Sequence, residues 1–178
     1  MSLLRLLLAF VAIGCMCAAY GVETLSDYTL GSGDKIKITV YDEPDLSMEV
    51  RLSDTGTISY PFLGEIAVLG LTVGELEQKI TNGLKGDYLV HPEVTVSIEE
   101  YRQFYIHGEV QHPGGFPYVP GITLRKAVAL AGGFTERASH SKIFVIHDSS
   151  SRADEGDPIK LDDLIKPGDI VTVEQSFF

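Results

Sequence analysis

Two short helix signals, each opened by a threonine and each set among alternating strand patterns, confine this chain to an α+β fold. Thr72 precedes the first signal, and Glu75 follows three residues later. That spacing is a capping box, in which each side chain satisfies an orphan backbone N–H of the first helical turn. Val73, Leu76, Ile80 and Leu84 then share one face, with Gly86 as the stop. Thr123 opens the second signal. Leu124, Ala127, Val128 and Ala131 share its apolar face, and Gly132-Gly133 ends it. One helix surrounded by strands in each half predicts two small mixed units, 22–100 and 101–178.

The strand patterns place the rest. Residues 35–40 alternate polar and apolar after the turn cluster Gly31-Ser32-Gly33-Asp34. Residues 48–52 alternate again, and the turn Asp54-Thr55-Gly56 predicts a hairpin onto 57–60. Residues 65–68 and 92–98 follow as strands, the latter with Val94, Val96 and Ile98 inward. In the second half, 102–107 reads as a strand with Phe104 and Ile106 on one face, and 116–119 is extended. Residues 142–146 form a buried strand, 149–157 a polar loop and 168–173 the closing strand. The halves echo each other. Gly33-Asp34 and Gly168-Asp169 both launch alternating strands, and Gly70-Leu71-Thr72 and Gly121-Ile122-Thr123 both lead into a helix.

The N-terminus reads as a signal peptide over 1–21. Arg5 supplies the positive start, 6–19 is an uncharged apolar run, and Ala18, Ala19 and Gly21 are the small residues before a cleavage ahead of Val22. The run is shorter than the roughly 20 residues of a spanning helix. Both cysteines, Cys15 and Cys17, lie inside it. Plain cleavage leaves no cysteine and no disulfide framework. Ala12-Ile13-Gly14-Cys15 is the other route, a lipobox-like run that makes Cys15 a candidate lipidation site.

Charge excludes one class of partner. The 178 residues carry 14 basic and 25 acidic side chains, a formal net charge of -11. Nucleic-acid binding needs clustered Lys and Arg to displace counterions, and none is present, so no nucleic acid is expected. Catalysis has no better footing. His91, His107, His112, His140 and His147 show no metal-ligand spacing. Asp154-Glu155-Gly156-Asp157 with Asp162-Asp163 is acidic but lacks the order of a calcium loop. No serine elbow and no phosphate loop occurs. The expectation is therefore no enzyme, no metal and no cofactor. Tyrosines are the one ligand signal, since they stack on sugar faces and also donate a hydrogen bond. Tyr60, Tyr105 and Tyr118 are the candidate sugar contacts, beside Tyr88 and Tyr101.

An ordered series of motifs resembles the outer-membrane polysaccharide export family. It opens at Tyr28-Thr29-Leu30-Gly31-Ser32-Gly33-Asp34-Lys35-Ile36, with Ser32 where the family has Pro. It continues through Asp54-Thr55-Gly56-Thr57-Ile58, Pro61-Phe62-Leu63-Gly64, Gly70-Leu71-Thr72, Glu75-Leu76, Tyr88 and Pro92-Glu93-Val94-Thr95-Val96. The second half resembles the family's soluble-ligand-binding β-grasp (SLBB) domain. Its marks are Ile106-His107-Gly108-Glu109-Val110, Pro113-Gly114, Thr123-Leu124, Ala131-Gly132-Gly133 and Lys166-Pro167-Gly168-Asp169-Ile170-Val171.

The resemblance implies a homo-oligomeric ring in the periplasm, associated with the outer membrane and docked to an inner-membrane polysaccharide copolymerase. It would act as conduit or adaptor for capsular or exopolysaccharide, with no bond made or broken. Longer members add β-grasp domains and a C-terminal amphipathic helix that crosses the outer membrane. This chain stops at Ser176-Phe177-Phe178, so the resemblance implies a short form that works with a separate outer-membrane barrel protein. The rival reading is a periplasmic β-grasp module that binds a sugar or small ligand without forming a conduit. Oligomeric state separates the two.

Overall fold

Both threonine caps form in the computed structural model, which describes residues 28–148 and 156–176. The leader expected over 1–21 with Cys15, and Asp154 and Glu155 of the acidic run, lie outside the described residues. Helix α1 (Val73–Leu84) is opened by Thr72 Oγ1, which accepts from Glu75 N–H at 3.2 Å, while Glu75 Oε2 accepts from Thr72 N–H at 2.7 Å. Leu76, Ile80 and Leu84 are each 0% exposed, so the helical period predicted the buried stripe, and Val73 packs at its edge. Helix α2 (Leu124–Leu130) is capped by Thr123 and ends where Gly132 and Gly133 adopt φ of 81° and 92°.

The capping box carries a pH dependence. The Thr72 backbone N–H, and then its hydroxyl, hold the Glu75 carboxyl below its ordinary value. A depressed carboxyl stabilises the fold above its unfolded pKa, and that contribution is lost as pH falls through the folded one. Acid unfolding followed by circular dichroism between pH 6 and about 3 should therefore be shallower in Glu75→Gln than in wild type.

In the first unit, β1 (Lys35–Val40) is the central strand of an antiparallel sheet between β2 (Met48–Arg51) and β5 (Val94–Glu100). Ile36, Ile38 and Val40 point into the core with Val96. The hairpin differs from the expected one. β3 (Thr57–Tyr60) pairs with β4 (Gly64–Ala67) and not with β2. Gly56 does turn the chain, at φ 76°, but its carbonyl then accepts from Val68 N–H at 2.8 Å and delivers β3 to the chain that follows it. The resulting register opposes Ile58 to Ile66, both buried, a cross-strand apolar pair.

The second unit has its own core. Its sheet runs β7 (Gly114–Phe116), β6 (Phe104–Gly108), β10 (Ile170–Gln175), β8 (Ala138–Ile146), β9 (Asp157–Pro158) in space. β10 is parallel to β6 and antiparallel to β8. Phe104, Ile106, Ile143, Val145, Val171 and Val173 fill the space beneath α2. β8 begins four residues before the expected 142, because Ala138 pairs with Gln175 past an irregularity in the ladder. The closing strand starts at Ile170, since Gly168 and Asp169 belong to the turn before it.

Candidate functional site

The echo between the halves has a physical basis. Gly31–Asp34 and 166–169 are the same turn, each closed by a backbone hydrogen bond of 3.2 Å from the aspartate N–H to the first carbonyl. Gly33 and Gly168 take the third position with φ of 95° and 85°, the type II pattern that glycine alone adopts without strain. In each turn the aspartate carboxylate reaches back to the first N–H, Gly31 or Lys166, at 2.8 Å. Asp34 is 0% exposed and Asp169 1%. The neighbouring chain also repeats. Leu30 N–H donates to Leu71 O, and Ile165 N–H donates to Ile122 O, each just ahead of a threonine helix cap. The turn and its strand open the first unit and close the second, so one construction appears in two chain orders.

Type II turns favour proline at the second position, where Pro167 stands in one turn and Ser32 in the other. Ser32→Pro should raise stability by about 0.4–1 kcal/mol by narrowing the unfolded ensemble, read as a small rise in Tm.

Arg102 fills the space between these two turns. Its backbone N–H donates to Asp34 Oδ1 at 2.7 Å, and its Nη1 donates to Tyr28 Oη at 2.6 Å and to Asp34 Oδ2 at 3.2 Å. Tyr28 in turn donates to Asp34 Oδ2 at 2.7 Å, and burial, then this bond, push its phenol well above the ordinary tyrosine range. On the other side Arg102 Nε lies 3.1 Å from Asp148 Oδ2, at the end of β8, outside hydrogen-bonding geometry. Glycine makes this packing feasible. A Cβ on Gly31 would fall 2.1 Å from Arg102 Nη1, and one on Gly168 would fall 2.8 Å from Arg102 Nε. One guanidinium thus joins a carboxylate of the first unit to a carboxylate of the second.

Above this junction lies an open cleft of 810 Å³ that both units line. Its aromatic wall continues from the junction: Tyr28 meets Tyr101 edge-on at 5.1 Å, and Tyr101 meets Tyr118 edge-on at 5.3 Å. Burial raises the phenol pKa of both Tyr101 and Tyr118. Arg51 pairs with Glu100 at one edge. Lys35, beside it, bridges Glu99 at 2.8 Å and Glu49 at 3.0 Å.

Of the expected sugar contacts, the structure brings Tyr105 and Tyr118 to this cleft, along with Tyr101. Tyr60 is not available to a ligand. It is 2% exposed in the first core, with its hydroxyl donating to Leu46 O at 2.8 Å. Alternation along β3 puts it on the same inward face as Ile58, and its phenol is satisfied there. Tyr88 stacks on Phe62 at 4.9 Å, away from the cleft lining. His147 Nδ1 sits 2.7 Å from Asp169 Oδ1, and His107 Nε2 sits 3.0 Å from Thr172 Oγ1. Asp162 pairs with Arg125, and Asp163 Oδ2 accepts from Lys160 N–H at 2.8 Å. Among the described residues, no cluster of three His, Cys, Asp or Glu could hold a metal, and no helix is long and apolar enough to cross a membrane.

The fold is thus a two-unit α+β protein, a helix-backed antiparallel sheet followed by a β-grasp-like unit, with a cleft where they meet. Residues 22–99 match the polysaccharide biosynthesis/export protein family and residues 103–161 match the SLBB domain. The chain thus carries a polysaccharide biosynthesis/export domain followed by an SLBB domain. It is 33% identical over 155 residues to the exopolysaccharide production protein ExoF of Rhizobium meliloti, covering 79% of this chain and 35% of that protein. It is 30% identical over 184 residues to the EPS I polysaccharide export outer membrane protein EpsA of Ralstonia nicotianae, covering 83% and 47%. It is 27% identical over 122 residues to the polysialic acid transport protein KpsD of Escherichia coli, covering 67% and 22%. The chain therefore spans less than half the length of these relatives.

Proposed function

We propose that this protein is a component of capsular or exopolysaccharide export, acting as a ring-forming conduit or adaptor and not as an enzyme. The observation that carries the reading is the consecutive match of an export domain and an SLBB domain across 22–99 and 103–161. The names of the relatives, exopolysaccharide production, polysaccharide export and polysialic acid transport, point the same way. In this proposal 1–21 is a signal peptide, with Cys15 as the alternative lipid anchor, and the units 22–100 and 101–178 work in the periplasm against the outer membrane. The partners are the polysaccharide, further copies of the chain, an inner-membrane copolymerase and a separate outer-membrane barrel protein.

Transport without chemistry needs a wet, polar path and no reacting group. Several carboxylates fit that requirement, since Asp34 and Asp169 close turns and Glu49 and Glu99 pair with Lys35. Deleting the gene should abolish surface polysaccharide while lipid-linked precursor is still made. Normal surface polymer in the deletion strain, with no second homologue present, overturns the reading. The inter-unit cleft also supports the rival, a periplasmic module that binds a sugar without forming a conduit. Native mass decides between them: a closed oligomer supports the conduit, and a monomer supports the module.

A further inference from the structure

Tyr105 is an exposed aromatic held in a fixed attitude. It is 48% exposed on β6, where the sheet register places Gly115 of β7 on one side and Ile170 of β10 on the other. Its ring lies across Gly115: a Cβ there would fall 2.9 Å from Tyr105 Cε1 and 2.7 Å from Gln103 Oε1. Glycine on one neighbouring strand and isoleucine on the other leave a flat bed on which the ring rests with little rotamer freedom to lose. A rigid amphipathic ring of this kind contributes contact area at low entropic cost.

The polar groups beside it are planar and solvent-facing. Gln103, the Arg51–Glu100 pair and Asp148 line the same cleft as Tyr105 and Tyr118. Hydroxyl-rich ligands need this combination, an apolar face to stack on and in-plane donors and acceptors around the rim. The volume of 810 Å³ falls within the range of about 300–1,000 Å³ usual for small-ligand sites.

Charge narrows the ligand further. The described lining carries two cations, Arg51 and Arg102, against three carboxylates, Glu99, Glu100 and Asp148. Both cations are already paired, Arg51 with Glu100 and Arg102 with Asp34 and Asp148. Glu99 is likewise bridged by Lys35, so a carboxylated sugar entering here would meet only committed cations, with their carboxylate partners beside them.

We infer that the cleft between the two units is a saccharide-binding site for a neutral stretch of sugar, with the Tyr105 ring as stacking platform and Tyr118 in the same aromatic lining. This rests on the export reading only for the source of the sugar. The site itself stands on the ring's fixed position, the planar rim and the paired charges.

The test uses the full chain purified from the periplasm. The probes are oligosaccharide fragments of the surface polymer that the deletion strain lacks, cellopentaose as a neutral comparison, and pentagalacturonate as a charged one. With no tryptophan in the chain, tyrosine emission reports binding directly. Wild type should bind a neutral probe, and Tyr105→Ala and Tyr118→Ala should each weaken it about tenfold or more. Gly115→Ala, which displaces the ring without removing it, should weaken binding while leaving the melting curve near wild type. Equal affinity in wild type and Tyr105→Ala overturns the site. So does preference for pentagalacturonate over the neutral probes, or failure of every neutral probe to bind. A change in native mass on Tyr105→Ala with unchanged sugar affinity also overturns it, by marking the cleft as a contact between copies. Persistence of surface polymer in the deletion strain instead overturns the export reading, and cellopentaose still decides the cleft.

Discussion

Replacing Asp34 by alanine should lower Tm by roughly 6–20 °C and weaken the join between the two units. The carboxylate of Asp34 is 0% exposed and serves four donors: Gly31 N–H, Arg102 N–H, Tyr28 Oη and Arg102 Nη1. Removing it leaves two backbone donors without their acceptor. It also strips a guanidinium, whose side chain is 17% exposed, of its buried counter-charge. Breaking a buried pair by deleting one partner costs about 3–5 kcal/mol, because the survivor remains desolvated. For a chain of this size each kcal/mol moves Tm by about 2–4 °C, which sets the expected range. Arg102→Ala should cost less, since Asp34 keeps the Gly31 and Arg102 backbone N–H groups and the Tyr28 hydroxyl. The double variant should be less destabilised than the sum of the two singles, by about 0.5–3 kcal/mol of coupling. Strict additivity would show that the Asp34–Arg102 contact contributes nothing and that the turn alone explains the loss.

The legibility of these features followed their range along the chain. Helix α1 was readable because its cap, its stripe and its stop are all local: Thr72 with Glu75, then Leu76, Ile80 and Leu84, then Gly86. Strand β1 was readable for the same reason, as alternation over six residues. The β3–β4 hairpin was not. Which neighbour β3 chooses is decided by Ile58 meeting Ile66 and by Phe62 accepting a φ of 64° at the tip, and a turn signal at Gly56 does not carry that information. Tyr60 failed as a sugar contact through the same kind of non-local fact. An aromatic at a strand end reads alike whether its face is core or solvent, and only the pairing shows that its hydroxyl finds Leu46 O.

The junction was half visible. The Gly33-Asp34 and Gly168-Asp169 echo marks two matching turns, and each aspartate's reach to the N–H three residues back is a local consequence. Arg102 carries no such signal. Its partners lie at Tyr28, Asp34 and Asp148, tens of residues away on both sides, and nothing around it in the chain distinguishes it from a solvated strand-end arginine. The nearest hint was Gly31, a glycine without positive φ, whose missing side chain is explained only by the guanidinium lying against it.

Leu76→Asp should unfold the first unit outright. Leu76 is 0% exposed at the centre of the α1 stripe, and the core it enters is built from Leu30, Ile36, Ile38, Ile80 and Leu84 among others. Truncating such a leucine to alanine alone costs about 2–5 kcal/mol through lost burial and the cavity left behind. Aspartate adds a carboxylate that must either stay charged without a partner or bind a proton and remain poorly satisfied, several further kcal/mol in an apolar site. Together these approach the total stability of a domain, about 5–15 kcal/mol. The second unit has a separate core around Phe104, Leu124 and Val171, and so should retain part of its structure. Circular dichroism should show partial loss of signal, and limited proteolysis should remove the first unit while a fragment of the second survives. Exposed Gln78→Ala, two positions along the same helix, provides the comparison and should melt within about 0.5 kcal/mol of wild type. Wild-type thermal stability in Leu76→Asp would mean that α1 does not pack its Leu76–Ile80–Leu84 stripe against β1 and β5. A single cooperative loss of both units would mean that the Arg102 junction couples them more tightly than two separate cores require.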